Sequence, residues 1–136
     1  MANFVYSKAK QSLLKGEINT NSSNYRVALL NKNNYTPNAL TDQYLSQIPE
    51  NAIVGTSDNL SNITNINGVL DASDIDISHN GTAFDSLVFY QVGSSNANSI
   101  LLFYLDNSSG LPFEGSNSPL SITIHWSDSD TKILAL

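Results

Sequence analysis

The run Ile100-Leu101-Leu102-Phe103-Tyr104-Leu105 is apolar at every position. It is far shorter than the roughly 18 residues that span a bilayer, and it has no polar positions for a solvated sheet face, so it reads as a core strand. A core strand needs neighbours to pair with and layers to cover it, which points to a layered β fold. Tyr25-Arg26-Val27-Ala28-Leu29-Leu30 is β-prone with apolar residues on both faces, as expected of a central strand buried on two sides.

Other segments alternate. Leu120, Ile122, Ile124 and Trp126 interleave with Ser121, Thr123 and His125, the cleanest two-residue period in the chain. Ile75 and Ile77 interleave with Asp74, Asp76 and Ser78. Asn80-Gly81 follows, and its tolerance of positive φ predicts a tight hairpin whose return strand runs over residues 84–92. Ala52-Ile53-Val54 reads as a short strand, residues 132–136 as a closing strand, and the Ser/Asn-rich residues 57–68 as one long loop suited to contacts.

Two helices are expected. Val5, Ala9 and Leu13, beside Tyr6 and Leu14, predict a helix over residues 4–15, with Gly16 as its left-handed cap. Thr41 predicts the start of a second, short helix that runs through Ile48 and stops at Pro49. The expectation is a mainly β chain: an antiparallel β-sandwich of about seven strands with an N-terminal helix and one short additional helix. Its 136 residues suit a single domain over 1–136, in which 1–16 form the N-terminal helical segment.

Charge is sparse and unevenly placed. With 13% charged residues, polar cover must come mostly from Asn, Ser and Thr, and without cysteine no disulfide contributes to stability. Lys8, Lys10, Lys15, Arg26 and Lys32 are opposed only by Glu17, which leaves the first 32 residues at +4 and the remainder at -10. The basic end is either a docking element for an acidic neighbour or the solvated face of a short helix. A net charge of -6 argues against nucleic acid as a partner. No stretch is long and apolar enough for a membrane, and Met1 to Lys15 carries charges where a signal peptide has its apolar run, so synthesis in a cytoplasm is expected.

Chemistry is thin. His79, in a Ser-His-Asn-Gly turn, is expected to be exposed, and His125 to sit on the polar side of its strand; neither has the setting of a catalytic base. Asp71, Asp74, Asp76 and Asp85 invite comparison with a calcium loop, but Ile75 and Ile77 demand an extended strand with its acids in one outer row. A glycosidase pair could be drawn among Asp106, Glu114, Asp128 and Asp130, although turns collect Asp for backbone reasons. The expectation is a chain that is not an enzyme and uses no cofactor or metal.

The opening Ser7-Lys8-Ala9-Lys10-Gln11-Ser12-Leu13-Leu14-Lys15-Gly16-Glu17-Ile18, then Tyr25 to Leu30 and Tyr35-Thr36-Pro37, resembles a group of small virion proteins of tailed bacteriophages. Gln43 to Pro49, Leu87-Val88-Phe89-Tyr90, Leu101 to Asp106 and Ile122 to Trp126 continue the likeness along the chain. The resemblance implies a virion structural protein made in the host bacterial cytoplasm, with the major capsid protein or other virion proteins as partners and self-association into a homo-oligomer. It transfers no functional residues. The first expectation is a capsid decoration or cement protein on the outer surface of the head; the alternatives are a neck or tail adaptor or ring protein and, from another class, a carbohydrate-binding module with exposed Tyr and Trp. Charge asymmetry and loop length nominate Lys8, Lys10, Lys15, Asn59 and Asn62 as partner-binding residues.

Overall fold

The computed structural model describes residues 3–19, 23–107, 110–116, 118–126 and 133–135. Strand accounts for 36% of it and helical turns for 17%, so the fold is mainly β, with antiparallel sheets in a sandwich-like arrangement. The strands are β1 (Phe4–Val5), β2 (Tyr25–Leu30), β3 (Ile53–Thr56), β4 (Thr64–Ile66), β5 (Val69–Asp71), β6 (Ile75–His79), β7 (Ser86–Gln91), β8 (Ile100–Leu105), β9 (Leu120–Ile124) and β10 (Leu134–Ala135), with one α-helix, α1 (Ser7–Leu14). The strands beyond the seven or so expected are short ones.

A five-stranded sheet in the order β1-β8-β7-β2-β3 forms the centre. The two apolar runs, β2 and β8, flank β7, which is buried at all six of its positions. Register puts Val27, Phe89 and Phe103 side by side on one face. Phe89 stacks on Phe103 at 4.9 Å and on Tyr25 at 5.5 Å, and Trp126 meets it edge-on at 6.1 Å. Trp126, 9% exposed, is therefore core, as its place in the period-two pattern predicts.

Over that face lies the pair β6–β9, registered Ile75 to Ile124, Ile77 to Ile122 and His79 to Leu120. This corrects the predicted hairpin, because β6 pairs with β9 and not with β7, which is taken up on both edges by β2 and β8. The reason is burial: β7 is apolar on both faces and needs a central place, whereas β6 has one wet face and belongs to a covering layer. Gly81, at φ +94, lets the chain cross between layers; a Cβ there would stand 2.6 Å from the Ser116 carbonyl oxygen.

The other face carries Ala28, Val88, Tyr104 and Phe4, matched across the strands. Phe4 stacks on Tyr104 at 5.2 Å and meets Tyr6 edge-on at 5.1 Å. The Tyr6 and Tyr35 hydroxyls lie 3.0 Å apart, and Tyr35 donates to Asp42 at 2.7 Å, which ties the connection between β2 and β3 to this side. Buried Leu45, Ile48 and Ala52 lie along the same connection.

The helices differ from expectation. Phe4 and Val5 pair with Tyr104 and Phe103 instead of opening a helix, so α1 starts only at Ser7. Its end is as expected: Gly16 takes φ +76 and donates to Leu13, and Glu17 donates to Ser12. In place of a helix from Thr41 there is a single 3-10 turn at Leu45–Gln47. Asn38 captures the Leu40 and Thr41 amides, and the backbone of Gln43 and Leu45 is committed to Leu101 and Ser99 beside β8.

Residues 57–68 are not one loop. Ser57 and Leu60 donate to Val27 and Tyr25, continuing along the edge of β2, and β4 and β5 then form a hairpin. Its turn is Asn67-Gly68, with φ of 54° and 78°, the two positive values a two-residue hairpin turn requires. Of the expected closing strand, Leu134 and Ala135 pair with Leu70 and Val69; Lys132 and Leu136 lie outside the described residues.

Candidate contact surface

Of the nominated contact residues, Lys10 and Lys15 are exposed and Lys8 is half-buried on α1. At 100° per residue, the buried Ala9 and Ser12 mark the inner side of the helix, and Lys10, Leu14, Gln11 and Lys15 follow one another across the outer side, with Lys8 at its border. Among the described residues none of these lysines has a carboxylate within ion-pair distance.

Asn59 and Asn62 serve the fold. Asn59 accepts from the Arg26 guanidinium at 2.8 Å, and Asn62, at φ 55°, donates to the Ser73 hydroxyl at 2.7 Å. The structure does not bring them to the lysines. Helix α1 packs beside β8, whereas Asn59 follows the chain along the far edge of β2, three strand positions away, or roughly 14 Å.

Sequence reasoning missed the apolar part of the surface. Leu14 is 91% exposed, Leu40 72% and Ile66 67%. Leu14 accompanies Val5, Ala9 and Leu13 in the sequence pattern, yet it lies about 140° around the axis from Ala9, a displacement that the helical period itself reveals. Leu40 follows Ala39, whose carbonyl receives the Ser7 amide at the start of α1. Ile66 sits at the tip of the β4–β5 hairpin, within the stretch whose Ser/Asn-rich composition predicts a loop.

The titratable groups act structurally. Asp74, immediately before β6, and Asp76 within it are both exposed, in the outer row the alternation predicts. Asp74 accepts from the Trp126 amide at 2.9 Å and lies 2.9 Å from Nδ1 of the exposed His125; the amide first and the imidazole second hold its carboxyl below the ordinary range. Asp76 is hydrogen-bonded by Thr123. Asp85 is remote from this row and accepts from the Lys32 amide at 2.9 Å, while the Lys32 ammonium reaches Asp106 at 3.4 Å. Burial pushes the neighbouring Tyr104 hydroxyl up to about 12, so it remains neutral at the ends of the central strands.

Asp106 is thus buried in a strand-end network, whereas Glu114 is exposed, and Asp128 and Asp130 lie outside the described residues. His79 corrects an expectation: it is 5% exposed, not solvated in a turn. It is the last residue of β6, its Nδ1 accepts from the Gly81 amide at 2.8 Å, and its ring packs near Phe84 and Phe113. Glycine at 55 admits it, since a Cβ there would stand 3.3 Å from the imidazole. Among the described residues no group of three His, Cys, Asp or Glu is placed to hold a metal ion, and no helix is long and apolar enough to cross a membrane.

No family model matches the chain, and no curated protein matches it.

Proposed function

We propose that the chain is a structural part of a tailed-bacteriophage particle, a capsid decoration or cement protein bound to the outer surface of the head. The observation that carries this reading is the order of the resembling segments along the chain. They fall on α1, on β2, β7, β8 and β9 of the central sheet and its covering layer, on Tyr35-Thr36-Pro37 in the connection after β2, and on the 43–49 segment that hydrogen-bonds beside β8. The resemblance is thus one of framework.

A cement protein works by mass action. It binds the assembled lattice and not the dissociated subunits, which displaces assembly toward the shell. Nothing in that task needs a reactive centre, and Asp74, Asp76, Asp85, Asp106 and His79 are engaged in contacts between strands and turns. The Trp that a sugar-stacking platform would use is turned into the core against Phe89.

The test is the number of copies per purified virion of the phage that encodes the chain, by quantitative mass spectrometry against the major shell protein. Hundreds of copies are expected of a decoration protein. A dozen or fewer would reassign it to a neck or tail ring, as closed cyclic symmetry implies, and complete absence would overturn the virion reading.

A further inference from the structure

An asparagine followed by glycine can react with its own main chain. The glycine nitrogen attacks the side-chain carbonyl carbon of the asparagine, the new C–N bond closes a five-membered succinimide, and the displaced amino group takes up the proton given up by that nitrogen and leaves as ammonia. Water then opens the ring at either carbonyl, giving aspartate or iso-aspartate, in which the main chain runs through the former side chain. Both reacting groups belong to one dipeptide, and glycine has no Cβ to shield the nitrogen. The step needs a backbone nitrogen free to lose its proton and a carboxamide free to turn toward it.

The chain has two such dipeptides, and the fold treats them oppositely. At Asn80-Gly81 both groups are occupied: the Gly81 amide donates to His79 Nδ1 at 2.8 Å, and Asn80 Oδ1 accepts from the Thr82 amide at 2.9 Å. Gly81 is also buried, closely faced by Ser116 and Ser118, so reaction there requires the crossing between layers to open first. At Asn67-Gly68 both residues are exposed at the tip of the β4–β5 hairpin, and among the described residues neither the Asn67 carboxamide nor the Gly68 amide has a hydrogen-bond partner.

We propose that Asn67 is a site of spontaneous modification, converted through a succinimide to aspartate and iso-aspartate in the folded protein while Asn80 is held intact, and that the iso-aspartyl product opens the hairpin. Ile66 and Val69 pair immediately on either side of the two-residue turn, so a methylene added to the main chain at 67 forces these partners apart. Strand β4 has β5 as its one ladder partner, and β4 and β5 belong to a different sheet from the central five strands, so the change stays local. The proposal rests on the fold alone and is independent of the virion reading.

The test ages the purified full chain in mildly alkaline buffer, where the glycine nitrogen gives up its proton more readily, both folded and unfolded in urea. Mass spectrometry of the two peptides follows the exchange of carboxamide for carboxyl, and electron-transfer fragmentation separates iso-aspartate from aspartate. Unfolded, the two dipeptides should convert at rates within about threefold of each other; folded, Asn67 should convert at least about tenfold faster than Asn80. Hydrogen exchange of the aged folded protein should be faster over residues 64–71 and unchanged in β7 and β8. The variant Asn67→Asp, which brings the charge without the added methylene and tolerates the left-handed turn, should exchange as the fresh protein does. Asn67 still intact when the unfolded chain has converted, or Asn80 keeping pace with it in the folded chain, would overturn the site. Unchanged exchange over 64–71 in the aged protein, or equally fast exchange in Asn67→Asp, would overturn its consequence.

Discussion

Gln91→Leu tests the joint between the N-terminal segment and the central sheet. Gln91, at the end of β7, is 9% exposed, and all its amide groups are engaged: Oε1 accepts from the Tyr25 hydroxyl at 2.9 Å and the Asn19 amide at 3.0 Å, and Nε2 donates to the Glu17 carbonyl at 3.0 Å. Glu17 and Asn19 are exposed, so water replaces their lost bonds cheaply, whereas Tyr25 is fully buried. Burial holds its hydroxyl well above the ordinary tyrosine range, so it is a neutral donor at any working pH and in the variant has lost its acceptor. An orphaned buried donor costs about 1–3 kcal/mol, and the two solvent-side bonds add a fraction each, giving a loss of about 2–3 kcal/mol. At this chain length that corresponds to a fall in Tm of roughly 5–10 °C.

Urea denaturation followed by Trp126 fluorescence and by circular dichroism measures the loss. The decisive comparison adds Tyr25→Phe alone and the double variant. If the penalty is the orphaned hydroxyl, removing it should make the double variant more stable than the sum of the single losses by about 1–2 kcal/mol. A loss below about 0.5 kcal/mol for Gln91→Leu, or additivity within that margin, refutes the argument.

Trp126→Ala should cost about 3–5 kcal/mol, since it empties the space beside Phe89 and removes the indole bond to the Ser73 carbonyl; denaturation by circular dichroism measures it. Asp74→Asn should flatten the acid limb of stability against pH. The carboxyl's folded value is depressed, so its contribution is present above the ordinary value of 3.8 and lost as pH falls through the folded value; thermal melts from pH 6 down to about pH 2.5 should show the wild type losing stability there and the variant losing less. Gly81→Ala should be far more damaging than Gly110→Ala, though both glycines have positive φ, because only at 81 would the Cβ strike backbone. Left-handed strain alone costs about 1 kcal/mol at 110, and the collision with Ser116 and Ser118 should at least double that at 81, as paired denaturation curves would show.

The strands were legible where composition left one choice. Six apolar residues in β8 and two-sided apolarity in β2 have no stable place except inside a sheet, and the alternation of β9 sets which of its faces is wet. Pairing was less legible because it is decided at long range. β6 and β9 meet across some forty residues of intervening chain, and nothing local to Ile75–His79 distinguishes Leu120–Ile124 from β7 as a neighbour. What decides is the demand of β7 for partners on both edges, a property of the completed sheet.

The two Asn-Gly pairs show the same limit at the scale of a turn. At Asn67-Gly68 both residues take positive φ, and Ile66 and Val69 close the ladder immediately on either side, so the dipeptide makes a two-residue hairpin. At Asn80-Gly81 only the glycine does so; the following residues, Thr82 and Ala83, lie outside any strand, and Gly81 is needed for its closeness to Ser116. An identical dipeptide thus serves a hairpin in one place and a crossing between layers in the other, and the discriminating signal is the spacing of the flanking apolar residues. The same reasoning applies to the surface. The helical lysines were visible as charge, but Leu14 becomes part of their face only once Ala9 and Ser12 fix which side of α1 is buried, and Ile66 is left exposed only once the hairpin turns Leu70 inward.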